Sequence, residues 1–393
     1  MAGPLKGVTI VEFAAIGPAP FAGMMLADMG AQVIRIDRIP GPRRAIDALT
    51  ANDTPMDRGR RSIALDLKDP RGVDVALRLV AGADILIEGF RPGVMEKLGL
   101  APGECRQRNA RLVYGRMTGY GQTGPLARAA GHDINYIAMS GALGAMGARS
   151  APPIPPLNLV GDYGGGGLLL ALGVVCALFE ARQSGRGQVV DAAMVDGASL
   201  LMTMMYGLKN RGQWHDARES NVIDGGAHFY GVYECADGKY LSIGAIEPQF
   251  YRCLIDVCGF DDPRFEAQWD ERKWPELKLK LAESFRSRTR DEWCALLEGH
   301  DACLAPVLDM NEAPAHVHNV ARGTFVEAPA SAGSRSEMLP APAPRFERTP
   351  TEMSGLQPEI GAHTMELLAG LGIPDEDAAA LVAARVVHRS GGP

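Results

Sequence analysis

The chain has 393 residues, is 46% hydrophobic, and carries a formal net charge of -7 with a pI near 5.7. That is enough apolar material for two domains or one elaborated one, and the acidic balance gives a nucleic-acid partner no electrostatic support. Seven cysteines without a CxxC pair point to reduced, buried thiols in a cytoplasmic protein rather than to a disulfide framework.

In chain order, Val8 to Phe13 reads as a strand, Phe21 to Met29 as a helix and Gln32 to Ile36 as a strand. Ile63 to Leu67, Val73 to Val80 and Ile85 to Ile87 repeat that alternation, and Leu112 to Met117 and Val189 to Ala193 add further strands. Short apolar strands separated by helices predict an α/β fold with a parallel, Rossmann-like sheet covered on both faces. Val195 to Leu208 reads as a Met-rich packing helix. The twelve-residue apolar run Leu168 to Phe179 is by length a core helix, too short for a membrane span. Neither terminus spells a signal peptide or a peroxisomal address.

After Arg211 the texture changes. Val232 to Cys235 and Tyr240 to Ile243 flank Asp237-Gly238, a hairpin signal because glycine supplies the positive φ such turns need. Helical stretches Gln249 to Val257, Trp274 to Phe285 and Asp291 to Leu297 follow. The organisation expected is a large α/β domain over 1–211, a linker at 212–229 and a smaller α/β domain over 230–322. A returning linker at 323–350, rich in Ala, Pro and Ser from 327, leads to terminal helices at 351–393, with Thr364 to Ala369 and Ala378 to Val387 helical.

Several motifs are set aside. Gly119-Tyr120-Gly121-Gln122-Thr123-Gly124 matches a dinucleotide fingerprint by letter, but Pro125 interrupts the helix start and no acidic residue follows at the required spacing. The first βα turn, Ala14 to Pro20, lacks the fingerprint's glycines. His316 and His318 stand two apart without further ligands, so no metal is expected. No G-x-S-x-G elbow is present.

Three features carry chemistry. Arg35, Arg38, Arg43, Arg44, Arg58, Arg60, Arg61 and Lys68 crowd the loops around the second and third strands, and in an acidic chain such a patch suggests a phosphorylated small ligand. Arg91, just after the strand ending in Ile87, lies where ligands meet parallel sheets. Finally, His132 in Gly131-His132-Asp133-Ile134-Asn135-Tyr136 and Asp162 in Gly161-Asp162-Tyr163-Gly164 are two proton carriers of different type, each at the mouth of an apolar segment. As helix-terminal residues both also suit simple capping. Ahead of a helix starting near Leu168, Asp162 is expected to have a lowered pKa, and the glycines after it to let a ligand approach backbone N–H groups.

The segments LKGVTIVEFA, AQVIRIDR, SIALDLK, ILIEGFRPGVMEKLGL, MTGYGQTGP, GHDINYIAMSG, PLNLVGDYGGGG, GRGQVVDAAMVDG, YECADGKYLSIGAIEPQFY and PAPRF run through nearly the whole chain. In them it resembles the family III CoA-transferases, and within these, by GHDINY with GAIEPQF, the 2-methylacyl-CoA racemase branch. The resemblance implies racemisation of (R)- and (S)-2-methylacyl-CoA thioesters by proton transfer through an enolate. His132 would be the base for the (S) form, Asp162 for the (R) form, and Glu247 the acid that orients the imidazole. Arg38, Leu65, Lys68, Gly89, Arg91, Lys97, Gly131, Asp133 and Tyr136 match CoA-binding positions. Relatives can carry Arg where Lys97 stands, which would turn a bidentate phosphate contact into a point charge. The resemblance also implies an interlocked homodimer and no cofactor beyond the CoA of the substrate. The alternative within the family is a CoA-transferase with Asp162 as nucleophile. Against it stand His132 and the short Asp224-Gly225-Gly226-Ala227 loop. A third possibility, a non-catalytic acyl-CoA-binding protein, sits poorly with a full set of candidate residues.

Overall fold

The structure, a computed structural model, describes residues 3–41, 54–328 and 336–391. Its chain divides into two units, Met1–Ser140 with Leu157–Leu201 and Gly323–Pro393, and Gly141–Pro156 with Met202–Arg322. The division falls at Leu201 where the sequence texture suggested Arg211, and the second unit includes 141–156.

In the first unit, β1 (Thr9–Phe13), β2 (Gln32–Arg38), β3 (Arg60–Leu65), β4 (Ile85–Glu88), β5 (Val113–Thr118) and β6 (Val189–Ala193) form a parallel sheet. The order is β12-β3-β2-β1-β4-β5-β6, where β12 (Val387–His388) is antiparallel to β3. Strand side chains alternate between faces. Val11, Phe13, Ile34, Ile36 and Leu86 meet helix α2 (Pro70–Ala81) and the C-terminal helices through Val75, Leu79 and Leu368. Ile10, Val33, Ile85 and Ile87 meet α1 (Pro18–Asp28) and α4 (Leu169–Ser184) through Ala22, Leu26, Leu170 and Val174. Burial on both faces lets the central strands β1 and β4 read as nearly continuous apolar runs, whereas the edge strand β6 is partly exposed. Each such Leu or Ile adds about 1.5–3 kcal/mol on leaving water.

Three expectations need correction. The helix predicted over Ala378 to Val387 stops at Ala383, and Val387 instead pairs with Leu65, so the returning chain covers the open edge of β3. The Met-rich helix breaks at Met202 into α5 (Met194–Leu201) and a second helix, Thr203–Asn210. The Ala- and Pro-rich returning segment contains an antiparallel pair, β10 (Phe325–Ala328) with β11 (Glu337–Pro340).

The apolar run at 168–179 also sits in a longer helix than its length implied. Leu159–Leu168 is π-helical and leads directly into α4. Together they make 26 residues, long and apolar enough to cross a membrane by length and composition, with half of the most apolar window buried. The exclusion by length therefore fails; the buried face of this helix packs on the sheet.

In the second unit, β7 (Tyr230–Glu234), β8 (Tyr240–Gly244) and β9 (Leu304–Val307) form an antiparallel sheet. Gly238 takes φ 75° in the β7–β8 turn, as Asp-Gly foretold. Helices Pro248–Cys258, Trp274–Phe285 and Arg290–Leu296 complete the unit. Its core is aromatic, built on Phe229, Tyr233, Trp274, Phe285 and Trp293. Of the cysteines, Cys105 and Cys235 are buried, whereas Cys176 and Cys303 are exposed, against the expectation of buried thiols throughout.

Candidate functional site

The strand order reverses direction between β1 and β4, so the chain leaving β1 and the chain leaving β4 diverge at the carboxyl edge of the sheet. Such a crevice is where parallel sheets bind ligands. Gly17, in the first βα turn, takes φ 75°, and a Cβ there would stand 3.3 Å from Oδ2 of Asp162. Across the crevice a Cβ on Gly89 would come within 2.9 Å of the Ala15 methyl. Asp162 thus lies over the switch point, brought there from far along the chain.

Asp162 does not precede its helix. It is the fourth residue of the π-helical stretch, a wide turn of a kind often found at functional sites. Its carboxyl is half-buried and accepts a hydrogen bond from Asn158 Nδ2 at 3.1 Å. Its pKa is raised, the reverse of the expectation. Burial is the main cause and the neighbouring Asp133 adds to it, while Asn158 and His132 pull the other way. Three of the four glycines that follow, Gly165 to Gly167, are buried and not open to a ligand. Gly165 packs against α5, where a Cβ on Gly197 would come within 1.8 Å of the Gly165 carbonyl oxygen. Gly166 and Gly167 lie against Pro18 and Phe21. These glycines let helices approach each other.

His132 is the N-cap of the short helix α3 (Asp133–Met139), with an extended backbone. Its own N–H donates to Asn135 Oδ1 at 3.0 Å, while the imidazole is exposed. Asp133 is buried, and its Oδ2 accepts from the N–H of Gly161 and of Asp162, both at 2.7 Å. The turn bearing His132 and the turn bearing Asp162 are therefore bound to each other through one carboxylate. The same bonds remove two of the N–H groups near Asp162 that the sequence offered to a ligand.

Tyr136 is buried, and its hydroxyl donates to the carbonyl of Gly131. Burial, then the neighbouring Tyr120 and Asp162, pushes its phenol up to about 12, while Arg91 acts in the opposite sense. Arg91, Asp133, Tyr136 and Asp162 thus share one electrostatic neighbourhood. The ring also accounts for Gly119, since a Cβ there would be 2.1 Å from it.

Leu65 and Arg38 are register partners at the ends of β3 and β2, the leucine buried and the arginine exposed. Lys68 lies exposed just beyond β3. Arg91 is exposed after β4, and Lys97 closes the exposed side of the short helix Val94–Lys97. The loop from Gly89 is braced: buried Glu88 accepts from the Phe90 N–H at 2.7 Å and pairs with Arg116 at 2.8 Å, which also reaches Glu96 at 2.9 Å. Glu247 belongs to the second unit, exposed at the N-cap of helix Pro248–Cys258.

The basic crowd mostly dissolves. Arg35 is buried against Asp37 at 2.9 Å and Asp57 at 2.7 Å, Arg58 against Asp28 at 2.6 Å, and Arg60 against Glu12 at 3.0 Å. Arg61 pairs with Glu366 at 2.8 Å. Arg43 and Arg44 lie outside the described residues. Of the described members, Arg38 and Lys68 remain as exposed cations at the strand ends. Sequence reasoning missed Asn158, Gly17 and the Glu88–Arg116–Glu96 brace. The contact of Gly17 with Asp162 spans most of the first unit, and nothing local announces it.

The family model for CoA-transferase family III matches residues 5–364. The chain is 44% identical over 387 residues to the alpha-methylacyl-CoA racemase of Mus musculus, covering 98% of this chain and 97% of that one. It is 42% identical over 374 residues to the alpha-methylacyl-CoA racemase of Homo sapiens, covering 95% and 94%. Its fold is similar to the crystal structure of Rv3272 from Mycobacterium tuberculosis, with a TM-score of 0.78 at 28% identity over 93% of this chain and 98% of that chain. A mostly parallel sheet with its candidate residues at the carboxyl edge, and matches of this length and identity, lead to one statement: the chain belongs to CoA-transferase family III.

Proposed function

We propose that the chain is a racemase that interconverts (R)- and (S)-2-methylacyl-CoA thioesters by moving one α-proton. The observation that carries this reading is the pair of unlike proton carriers, His132 and Asp162, on two turns joined through Asp133. The 44% identity to a racemase over nearly the full chain supports it independently.

The reaction needs a base on one face of the α-carbon and an acid on the other, with roles that reverse between epimers. Neutral His132 takes the proton of the (S) form while protonated Asp162 supplies one to the opposite face; the (R) form runs the exchange backwards. Removing the α-proton leaves an enolate with its charge on the thioester oxygen. A carboxyl that must serve as acid as well as base benefits from a raised pKa, and burial supplies it. Gly161 and Asp162 have spent their N–H groups on Asp133, and Asn135 and Tyr136 donate to the His132 carbonyl, so the N–H groups of Asp133 and Ile134 at the start of α3 are the donors left beside His132 to serve the enolate oxygen.

Arg38, Lys68, Arg91 and Lys97, with Leu65, Gly89 and the Gly131 to Tyr136 loop, would hold the CoA moiety along the carboxyl edge and so fix the α-carbon. Glu247 of a second copy in an interlocked homodimer would orient the imidazole. The exposed stripe of Leu168, Leu172 and Phe179 on the long helix, with Phe179 68% accessible, supports burial against another surface.

Single-epimer 2-methylacyl-CoA esters incubated in D₂O test the reading, with deuterium uptake and epimer ratio followed together. Both should change in step from either epimer. The transferase alternative makes Asp162 a nucleophile, for which a raised carboxyl pKa is a disadvantage. A covalent acyl or CoA adduct on Asp162, trapped with hydroxylamine or seen by mass spectrometry, would favour it.

A further inference from the structure

Asp133 is placed unlike an ordinary first-turn carboxylate. Such residues face their own helix's N–H groups or solvent. Asp133 instead turns away from α3 and reaches 28 and 29 residues along the chain, to the N–H groups of Gly161 and Asp162. The residue is 6% exposed, and its second oxygen, Oδ1, is buried without a hydrogen-bond partner. Hiding half a carboxylate unpaired is unfavourable and implies a compensating role. The neighbour is shaped to it as well: a Cβ on Gly161 would stand 2.5 Å from Asp133 Oδ2 and 3.2 Å from the Ile137 side chain.

We propose that Asp133 is a positioning residue for the racemisation, holding the Asp162 turn at a fixed place relative to His132 through its two backbone hydrogen bonds. The inference rests on the reading of His132 and Asp162 as the two proton carriers. It gives the side chain of Asp133 a task separate from CoA contact. Because His132 immediately precedes Asp133, any shift of the Asp133 carboxylate changes the placing of the two carriers relative to each other. The negative charge beside Asp162 also favours its protonated form, in the same sense as burial does.

Three variants separate these effects. Asp133→Asn keeps an acceptor oxygen for both N–H groups and removes the charge. Asp133→Ala removes the acceptor. Gly161→Ala leaves the charge and displaces the carboxylate. For each, kcat, KM and the pH profile of deuterium uptake from single epimers would be measured, with amide hydrogen exchange over 159–168 as a readout independent of turnover.

Asp133→Ala and Gly161→Ala are expected to lower kcat on the order of 100-fold, the scale of an ångström of misplacement, with little change in KM and faster amide exchange over 159–168. Asp133→Asn is expected to retain most of kcat and to move the acid limb of (R)-epimer exchange to lower pH. Wild-type kcat and an unmoved pH profile in all three variants, alongside an active wild type, would overturn the inference alone. So would losses confined to KM. A wild type that takes up no deuterium from either epimer would overturn the racemase reading, and the inference with it.

Discussion

Arg60 and Arg91 belong to the same family of cations when the sequence is read in order, yet they sit in opposite circumstances. The Arg60 side chain is buried with Glu12 at 3.0 Å, one of several buried ion pairs in this part of the molecule that also hold Arg35 and Arg58. Arg91 stands exposed beyond β4, on a loop whose brace is made by other charges, Glu88, Arg116 and Glu96. A charge with a fixed internal partner has its interactions satisfied and acts on stability. A charge held at a rigid strand end without one is available to a ligand.

The sharpest way to break this comparison is to remove one member of a buried pair. Glu12→Ala leaves the Arg60 guanidinium uncompensated and is expected to destabilise the protein by about 3–5 kcal/mol, measured by urea denaturation. Activity at low temperature should survive in whatever fraction stays folded, since Glu12 does no chemistry in this account.

A buried titratable group with a missing partner gives the next effect. His228 is fully buried, with Nε2 2.7 Å from the Tyr251 hydroxyl and Nδ1 unpartnered, and burial pushes its pKa down to about 4. The fold holds the neutral ring and the unfolded chain takes the proton more readily. The second unit should therefore keep its full stability above about pH 6.5, lose it as pH falls towards 4, and level off below. The ordinary and shifted pKa values set that loss at roughly 3 kcal/mol. His228→Leu should flatten this part of the stability profile; an unchanged slope would mean another group titrates.

Arg91→Ala should act in the opposite way to Glu12→Ala. Loss of a charge-assisted bond to a ligand phosphate, about 1.5–3 kcal/mol, would raise KM roughly 10- to 100-fold. Steady-state kinetics and thermal unfolding on one preparation would show whether KM moves and Tm stays.

The contrast also explains which parts of the molecule could be read in advance. Strands buried on both faces announce themselves as apolar runs, and Asp237-Gly238 marks its turn by the φ that glycine alone takes easily. The proton carriers stood out through motif spelling. What could not be read depends on distance. Glu12 and Arg60 lie 48 residues apart, and the partners of Asp133 lie 28 and 29 residues on. Nothing local separates a solvated arginine from a buried one. The π-helical turn was hidden for a related reason: four glycines suit a ligand loop and a close helix crossing equally well, and only the position of Gly197 decides between them.

The two-base assignment has the most direct test. (S)- and (R)-2-methylacyl-CoA are incubated separately in D₂O with His132→Ala and Asp162→Ala, and α-deuterium uptake is timed against wild type. His132→Ala is expected to slow uptake from (S) more than from (R), Asp162→Ala the reverse, each on the order of 10²–10⁴-fold for the affected epimer. Near-wild-type uptake from both epimers in both variants would contradict it.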